Sequence, residues 1–175
     1  THRPTATIPG AGERTVTLTS GIKTFAIGGL RAAVASFADE DLHRRFLGVP
    51  EQLLGGVNRF GCEAATVAWE EADEWTDALV ALFNGHRRRL VDRIAAELPD
   101  IRVHLPQSTF LAWLDLSVLE PGDRPATWLR ERTGVRGKNG PLFGEGGEGH
   151  VRFTFGTSTA VLDEMVDRLV AGLGG

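Results

Sequence analysis

The spacing of apolar residues constrains the fold of this chain most strongly, because its period changes along the sequence. Between residues 63 and 98, apolar side chains recur at steps of three and four, the repeat of one helix face. Pro99 ends that stretch, so we predict one long helix or two abutting helices over it. Shorter segments on both sides follow the two-residue period of a strand. The pattern therefore predicts an α/β chain.

Further strand-like and helical segments complete this pattern. The predicted strands are residues 15–20, 30–37, 101–105, 109–116 and 150–155. The predicted helices are residues 39–48, residues 125–134 and a closing helix with Leu162, Met165, Val166, Leu169 and Val170 on one face. Strand 109–116 is almost wholly apolar, so we expect it to be buried on both of its faces.

Composition excludes several classes of protein. The 175 residues carry a formal net charge of -4, and 42% of them are apolar, enough for a real core. This balance indicates no nucleic-acid partner, and we interpret the arginine triplet at 87–89 as a solvated helix face. No apolar run is long enough to cross a membrane, and the first residues do not resemble a signal peptide, which favours a cytoplasmic protein.

Metal and nucleotide sites are not predicted. The single cysteine, Cys62, offers neither a disulfide nor a metal cluster, and we expect its side chain to be buried or half-buried. The histidines are scattered, without a ligand pair at helical spacing. Residues 144–149 read GEGGEG, but a strand follows them where a dinucleotide-binding loop needs a helix.

Lysine is scarce in this chain. Lys23 and Lys138 are the only lysines among 19 basic residues, so ordinary surface charge is supplied by arginine. Lys23 lies in a glycine-containing loop between two predicted strands, where an amine can act as a nucleophile or form a Schiff base. The alternative is a surface lysine whose carbon chain lies along the edge of the loop.

Two polar residues flank this lysine. Ser20 lies three residues before Lys23, and Arg31 lies eight residues after it. A hydroxyl and a guanidinium can bind phosphate oxygens while a lysine reacts with another group of the same ligand. Serine and arginine are common residues, so the spacing alone does not specify a phosphate site.

Two longer segments resemble a known family. Residues 18–31 read LTSGIKTFAIGGLR, which resembles the lysine segment of fold-type I enzymes that depend on pyridoxal 5'-phosphate (PLP). Residues 141–158 read PLFGEGGEGHVRFTFGTS, which resembles the C-terminal signature of the same enzymes. With STFLAWLDL at 108–116 between them, the order and separation of the motifs are similar to those of MalY/PatB-type cystathionine β-lyases, a branch of the class I/II aminotransferases.

This resemblance implies a role for four residues. It implies that Lys23 holds PLP and is the catalytic base, and that Ser20 and Arg31 bind the phosphate of PLP. It also implies that Arg152 binds the α-carboxylate of an amino-acid substrate. The sequence itself supports the role of Arg152, because this residue lies on the polar face of a predicted strand that follows a glycine-rich loop. An exposed strand arginine without a ligand is the alternative.

The resemblance also implies a domain organisation and an activity. Residues 1–85 correspond to the end of a large PLP-binding domain with a connecting helix, and residues 86–175 to a small C-terminal α+β domain. The implied activity is carbon-sulfur β-lysis of sulfur amino acids by a homodimer. An aminotransferase of the same family and a non-catalytic scaffold remain as alternatives.

One departure from the family pattern bears on completeness. The family places the residues that hold the pyridine ring, and a tyrosine, upstream of its lysine. Here 22 residues precede Lys23, none of them resembles those motifs, and the chain contains no tyrosine. We therefore expect the chain to be the C-terminal portion of a longer enzyme.

Overall fold

The fold is that of a computed structural model, which describes residues 3–174. The chain divides into two compact units, of which the first extends to Ala78 and the second begins at Leu79. Each unit has its own sheet, and the helix that crosses the boundary in sequence belongs partly to each. None of the helices among the described residues is both long and apolar enough to cross a membrane.

The first unit contains a two-stranded antiparallel sheet. Strand β1 is Val16–Thr19 and strand β2 is Val34–Phe37, and their register pairs Val16 with Phe37 and Thr19 with Val34. Both predicted strands are confirmed, although β2 begins later than expected. The reason is that Gly28–Leu30 forms a single 3-10 turn, which delays the extended backbone.

Helices follow this sheet. They are α1 (Glu40–Leu47), α2 (Glu51–Leu54), α3 (Arg59–Glu71) and α4 (Asp73–Glu97). The Asp39 carboxylate accepts a hydrogen bond of 2.7 Å from the amide of Leu42, which caps α1 as the acidic start of that segment predicts. The prediction of one long helix or two abutting helices is confirmed in its second form, because α3 and α4 are separated only at Ala72.

Apolar side chains of the first unit are mostly exposed. Leu18, Leu53 and Phe60 are 74%, 77% and 79% exposed. The predicted burial of Cys62 is wrong, because its side chain is exposed on α3. Trp75, on the predicted apolar stripe, is 51% exposed, so periodicity places these residues on one face but does not bury them.

The second unit contains a four-stranded antiparallel sheet. Its strands are β3 (Arg102–Val103), β4 (Leu111–Asp115), β5 (Lys138–Asn139) and β6 (His150–Thr154). They lie in the order β3-β4-β6-β5, so β4 and β6 are the central strands. The remaining helices are α5 (Pro125–Thr133) and α6 (Thr159–Leu173).

The core of the second unit lies on one face of this sheet. Alternate residues of β4 and β6 pack there with side chains of α4, α5 and α6. The central members of the core are Leu90, Ile94, Ala112, Leu114, Leu129, Val151, Phe153, Leu162, Val166 and Leu169. The expectation that segment 109–116 is buried on both faces is wrong, because Trp113 and its neighbours on the outer face are only half-buried.

Helices α4 and α6 are also joined by polar contacts. The Arg89 guanidinium pairs with Asp163, and the Arg93 guanidinium lies 2.7 Å from Glu97 and 2.8 Å from Asp167. Arg87 donates to the carbonyl of Pro106 at 2.7 Å. The interpretation of residues 87–89 as a solvated face holds for Arg88 and Arg89, which are exposed, and is wrong for Arg87, which is half-buried. The contacts of Arg87 and Arg89 tie α4 to its surroundings.

A buried histidine makes a further link between helices. His86 is 3% exposed, with Nδ1 3.2 Å from the carbonyl oxygen of Phe155 and Nε2 3.0 Å from the hydroxyl of Thr159. A carbonyl oxygen can only accept, so Nδ1 carries a proton and donates it to Phe155. This histidine is part of the core and is not available to a ligand.

The core predicts a measurable cost for one truncation. Replacing Leu90, which is fully buried, by alanine should reduce the free energy of unfolding by about 2–5 kcal/mol, through lost transfer energy and a cavity. Urea denaturation followed by circular dichroism measures this change. Val118→Ala, at a site 61% exposed, is the matched control and should change it by less than about 0.5 kcal/mol. Equal effects would contradict the assigned core.

Candidate functional site

Three of the predicted site residues lie on the connection between β1 and β2. The Ser20 hydroxyl donates a hydrogen bond of 2.6 Å to the carbonyl of Ala32 and accepts one of 3.3 Å from the amide of Ile22. Because Ala32 directly follows Arg31, this bond closes the base of the loop and brings Ser20 beside the backbone of Arg31.

Lys23 lies on a turn within this loop. The amide of Phe25 donates to the carbonyl of Gly21 at 2.9 Å, which closes the turn around Lys23. The side chains of Lys23 and Arg31 are exposed. Neither makes a hydrogen bond or a salt bridge within residues 3–174, so both positive charges remain available to a ligand.

The loop holds an unfavourable backbone conformation. Ala26 and Arg31 have positive φ angles of 57° and 50°, in the left-handed region that side chains other than glycine rarely adopt. Such residues cost about 1–3 kcal/mol each and persist only where the surroundings fix them. They also tend to occur at ligand sites, which is a second reason to regard this loop as functional.

The start of α3 fixes this conformation. The Asn58 side-chain amide donates to the carbonyl of Leu30 at 3.3 Å, and its oxygen accepts from the amide of Phe60 at 3.1 Å. Gly61 lets the helix approach, because a Cβ atom there would lie 2.4 Å from the Leu30 oxygen. Asn58 and Gly61 therefore position the residue before Arg31, and the sequence signals only the first of them, as a helix cap.

Arg152 lies in the second unit, on the outer face of the sheet. Its neighbours Val151 and Phe153 are fully buried on the opposite face, which confirms the predicted division of this strand. In register, Trp113 on β4 and Lys138 on β5 both lie directly opposite Arg152, and directly paired residues share a face. Neither basic side chain has an acidic partner among the described residues, so this face can bind an anion.

Aromatic rings surround Arg152. The guanidinium carbon lies over the ring of Phe143, 4.6 Å from its centroid. Trp113 meets Phe143 edge to face at 5.6 Å, and its other neighbour is the stacked ring of His150, also at 5.6 Å. The sequence reveals the alternation of the strand, but it contains no periodic signal for the position of Phe143.

Asp115 lies at the end of the same face. Its carboxylate accepts a 2.9 Å hydrogen bond from the amide of Ser117 and lies 3.9 Å from Nε2 of His150. Hydrogen bonding by Ser117 lowers the pKa of the Asp115 carboxyl group from its ordinary value, and its side chain has a larger effect than its backbone. His150 Nδ1 lies 2.7 Å from the carbonyl oxygen of Glu148, to which it donates. The carboxylate of Asp115 is thus occupied by local contacts.

Comparison with known proteins gives the class of this chain. No protein-family model matches it. A protein of Mycobacterium leprae is 34% identical over 182 residues, covering 95% of this chain and 44% of that protein. Cystathionine beta-lyase PatB of Bacillus subtilis is 30% identical over 163 residues, covering 90% of this chain and 41% of PatB. The chain thus spans less than half the length of these relatives.

A solved structure gives the fold. A PLP-bound protein from Clostridium difficile 630 matches with a TM-score of 0.91 at 23% identity, over 98% of this chain and 45% of that one. The chain therefore has the aminotransferase-like fold of fold-type I proteins over the part that it spans. Protein MalY of Escherichia coli is likewise 30% identical over 156 residues, covering 87% of this chain and 40% of MalY, so the chain is similar to members of the MalY/PatB branch over the part that it spans.

The lowered pKa of Asp115 predicts a pH-dependent stability. Because its pKa is lower in the folded protein, its contribution is present above the unfolded pKa of about 3.9 and is lost as the pH falls through the folded pKa. Asp115→Asn should therefore reduce the free energy of unfolding by about 1 kcal/mol at pH 7, and by much less at low pH.

Urea denaturation at a series of pH values measures this difference. Asp123→Asn is the matched control, because Asp123 is an exposed loop residue without a hydrogen bond inside the described part of the chain. It should show no such dependence. A difference for Asp115→Asn that stays constant from pH 7 into the acid range would contradict a role for the charge.

Proposed function

We propose that this protein is a PLP-dependent carbon-sulfur β-lyase that acts on sulfur amino acids, of the cystathionine β-lyase type. The observation that carries the proposal is the loop between β1 and β2. It presents a lysine and an arginine that have no partner within residues 3–174, on a backbone held by other contacts, at the positions where the resemblance implies PLP binding. The name of the relative PatB supports the choice of reaction.

The residues on this loop fit the cofactor in different degrees. Lys23 offers a primary amine that can bond to the aldehyde of PLP, and Arg31 offers a fixed positive charge with several N–H donors for its phosphate. Ser20 is the third predicted ligand. Its hydroxyl has one proton, which is directed at Ala32, so it donates to a phosphate only after giving up that bond.

The chemistry divides between the cofactor and the chain. When bound, PLP supplies a conjugated ring that accepts electrons from the α-carbon of the substrate. Lys23 would serve as the base after the substrate amine replaces its Nζ atom on the aldehyde carbon, and the freed Nζ would take the proton from the α-carbon. In the overall reaction the bond between Cβ and sulfur breaks and the sulfur leaves with the electron pair. One water is consumed, and the products are a thiol, a keto acid and ammonia.

Arg152 is the proposed carboxylate-binding residue. Its guanidinium can hold both oxygens of a carboxylate in a bidentate pair, which fixes the direction of the other bonds at the α-carbon. The absence of an acidic partner for Arg152 within residues 3–174 supports this role, since its donors are not otherwise used. Lys138 adds a second positive charge on the same face.

The proposal also includes the domain organisation, location, oligomeric state and partner of the complete enzyme. Residues 1–85 form the end of the large PLP-binding domain with a connecting helix, and residues 86–175 form the small domain. The complete enzyme is a cytoplasmic homodimer, and its partner is a small amino acid rather than nucleic acid or a membrane. An aminotransferase is the second candidate, because the family includes that activity and the same residues serve it.

The two lysines provide a direct test of cofactor binding. The purified protein incubated with PLP should show the visible absorbance of lysine-bound PLP, and borohydride should fix it covalently. Because modified Lys23 resists trypsin, the label should appear on the peptide of residues 15–31. Lys23→Ala should lose the absorbance and lower activity by about a hundredfold or more. Lys138→Ala, the matched control, should keep the absorbance, and label found on Lys138 instead would refute the assignment.

A second experiment separates lyase from aminotransferase. With cystathionine and no keto-acid acceptor, a β-lyase releases pyruvate and ammonia, because elimination needs no second substrate. We expect both products in equal amounts, measured with coupled dehydrogenase assays. Turnover that occurs only after 2-oxoglutarate is added would overturn the lyase in favour of the aminotransferase.

A further inference from the structure

We propose that Phe143 is a positioning residue for Arg152 and thereby sets the affinity for the substrate carboxylate. This inference rests on the proposed function, in which Arg152 binds that group. The proposal is based on the position of the Arg152 guanidinium carbon, which lies over the Phe143 ring, 4.6 Å from its centroid. A cation at this distance from an aromatic face is attracted by the ring.

The contact holds the guanidinium without consuming its donors. A ring face attracts the positive charge, whereas a carboxylate binds the N–H groups. Within residues 3–174 no acid or carbonyl pairs with the guanidinium of Arg152, so its five N–H donors stay available. An acidic residue in the place of Phe143 would position the arginine equally well, but it would compete with the substrate for those donors.

Phe143 is itself held in place by the backbone. It ends the 3-10 segment Gly140–Phe143, which lies against Gly147 so closely that a Cβ atom on Gly140 would be 2.1 Å from the Gly147 oxygen. The Phe143 ring also meets the Trp113 ring at an interplanar angle of 79°. The ring is therefore fixed from two sides before any ligand binds, which limits the ordering that binding requires.

The exposure of Phe143 distinguishes its proposed role at Arg152 from a role in packing the core. Phe143 is 50% exposed and is absent from the core of the second unit. Removing the ring should therefore leave the fold intact while it frees the guanidinium to move. Leu142, the preceding residue, is 73% exposed and provides a matched control on the same segment.

The test uses the PLP-loaded protein and compares Phe143→Leu with Leu142→Ala. We expect Phe143→Leu to raise KM for cystathionine about three- to tenfold with little change in kcat, from the usual strength of such contacts. Phe143→Tyr, which keeps the ring, should restore KM, and Leu142→Ala should not change it. Equal increases in KM for Phe143→Leu and Leu142→Ala would overturn the proposal.

A readout without turnover separates this proposal from the proposed reaction. The ring current of Phe143 should shift the Arg152 Nε–H resonance in NMR spectra, and Phe143→Leu should remove that shift while Leu142→Ala keeps it. Titration with acetate should move the same resonance at lower concentration in the wild type than in Phe143→Leu. If no variant turns over cystathionine but these shifts occur, the reaction is wrong and the positioning role stands.

Unchanged NMR shifts and unchanged acetate affinity in Phe143→Leu would overturn the positioning role, whatever the activity. Circular dichroism checks that each variant is folded. Should Phe143→Leu fail to fold, Phe143→Met replaces it, because methionine fills a similar volume without an aromatic ring. An unfolded Met variant as well would show that the ring supports the fold, which also overturns the proposal.

Discussion

The pleat of β6 is the constraint on which the second unit depends. Successive side chains of a strand point to opposite faces, so burying Val151 and Phe153 in the core forces Arg152 onto the outer face. A register shift of one residue would bury the arginine and expose both apolar residues, which the core excludes. The position of Arg152 thus follows from core packing, and the positions of Trp113 and Lys138 opposite it follow from the register of β6 with its neighbours.

The loop that carries Lys23 is held by a different kind of interaction. The first unit buries few apolar side chains, and the loop depends on hydrogen bonds from Ser20 to Ala32 and from Asn58 to Leu30. Hydrogen bonds fix direction over short distances, which suits a backbone that must hold Arg31 in a left-handed conformation. Strain is therefore balanced by polar contacts in one unit, whereas the other relies on a packed core.

The sequence predicted the helices and strands better than it predicted the contacts around them. Period alone predicted the helices before Pro99 and the two faces of β6, because each depends on residues near in sequence. It could not show that Trp75 stays exposed, since a period reveals which residues share a face but not what covers that face. Contacts distant in sequence, such as those of Arg89 with Asp163 and of Asn58 with Leu30, leave no local pattern. The ring over Arg152 depends on a backbone approach of two glycines, which no spacing rule describes.

Lysine and arginine side chains offer different chemistry, and Arg93 and Lys23 illustrate the difference. A guanidinium does not lose its proton in a protein, so it suits positions where a charge must be permanent. Arg93 between Glu97 and Asp167 is such a position, and the hydrogen bonds that it donates to these acids raise its pKa further. An amine can lose a proton and form a covalent bond, which the proposed reaction requires only at Lys23. Arginine at position 23 would keep the charge and remove the proposed chemistry.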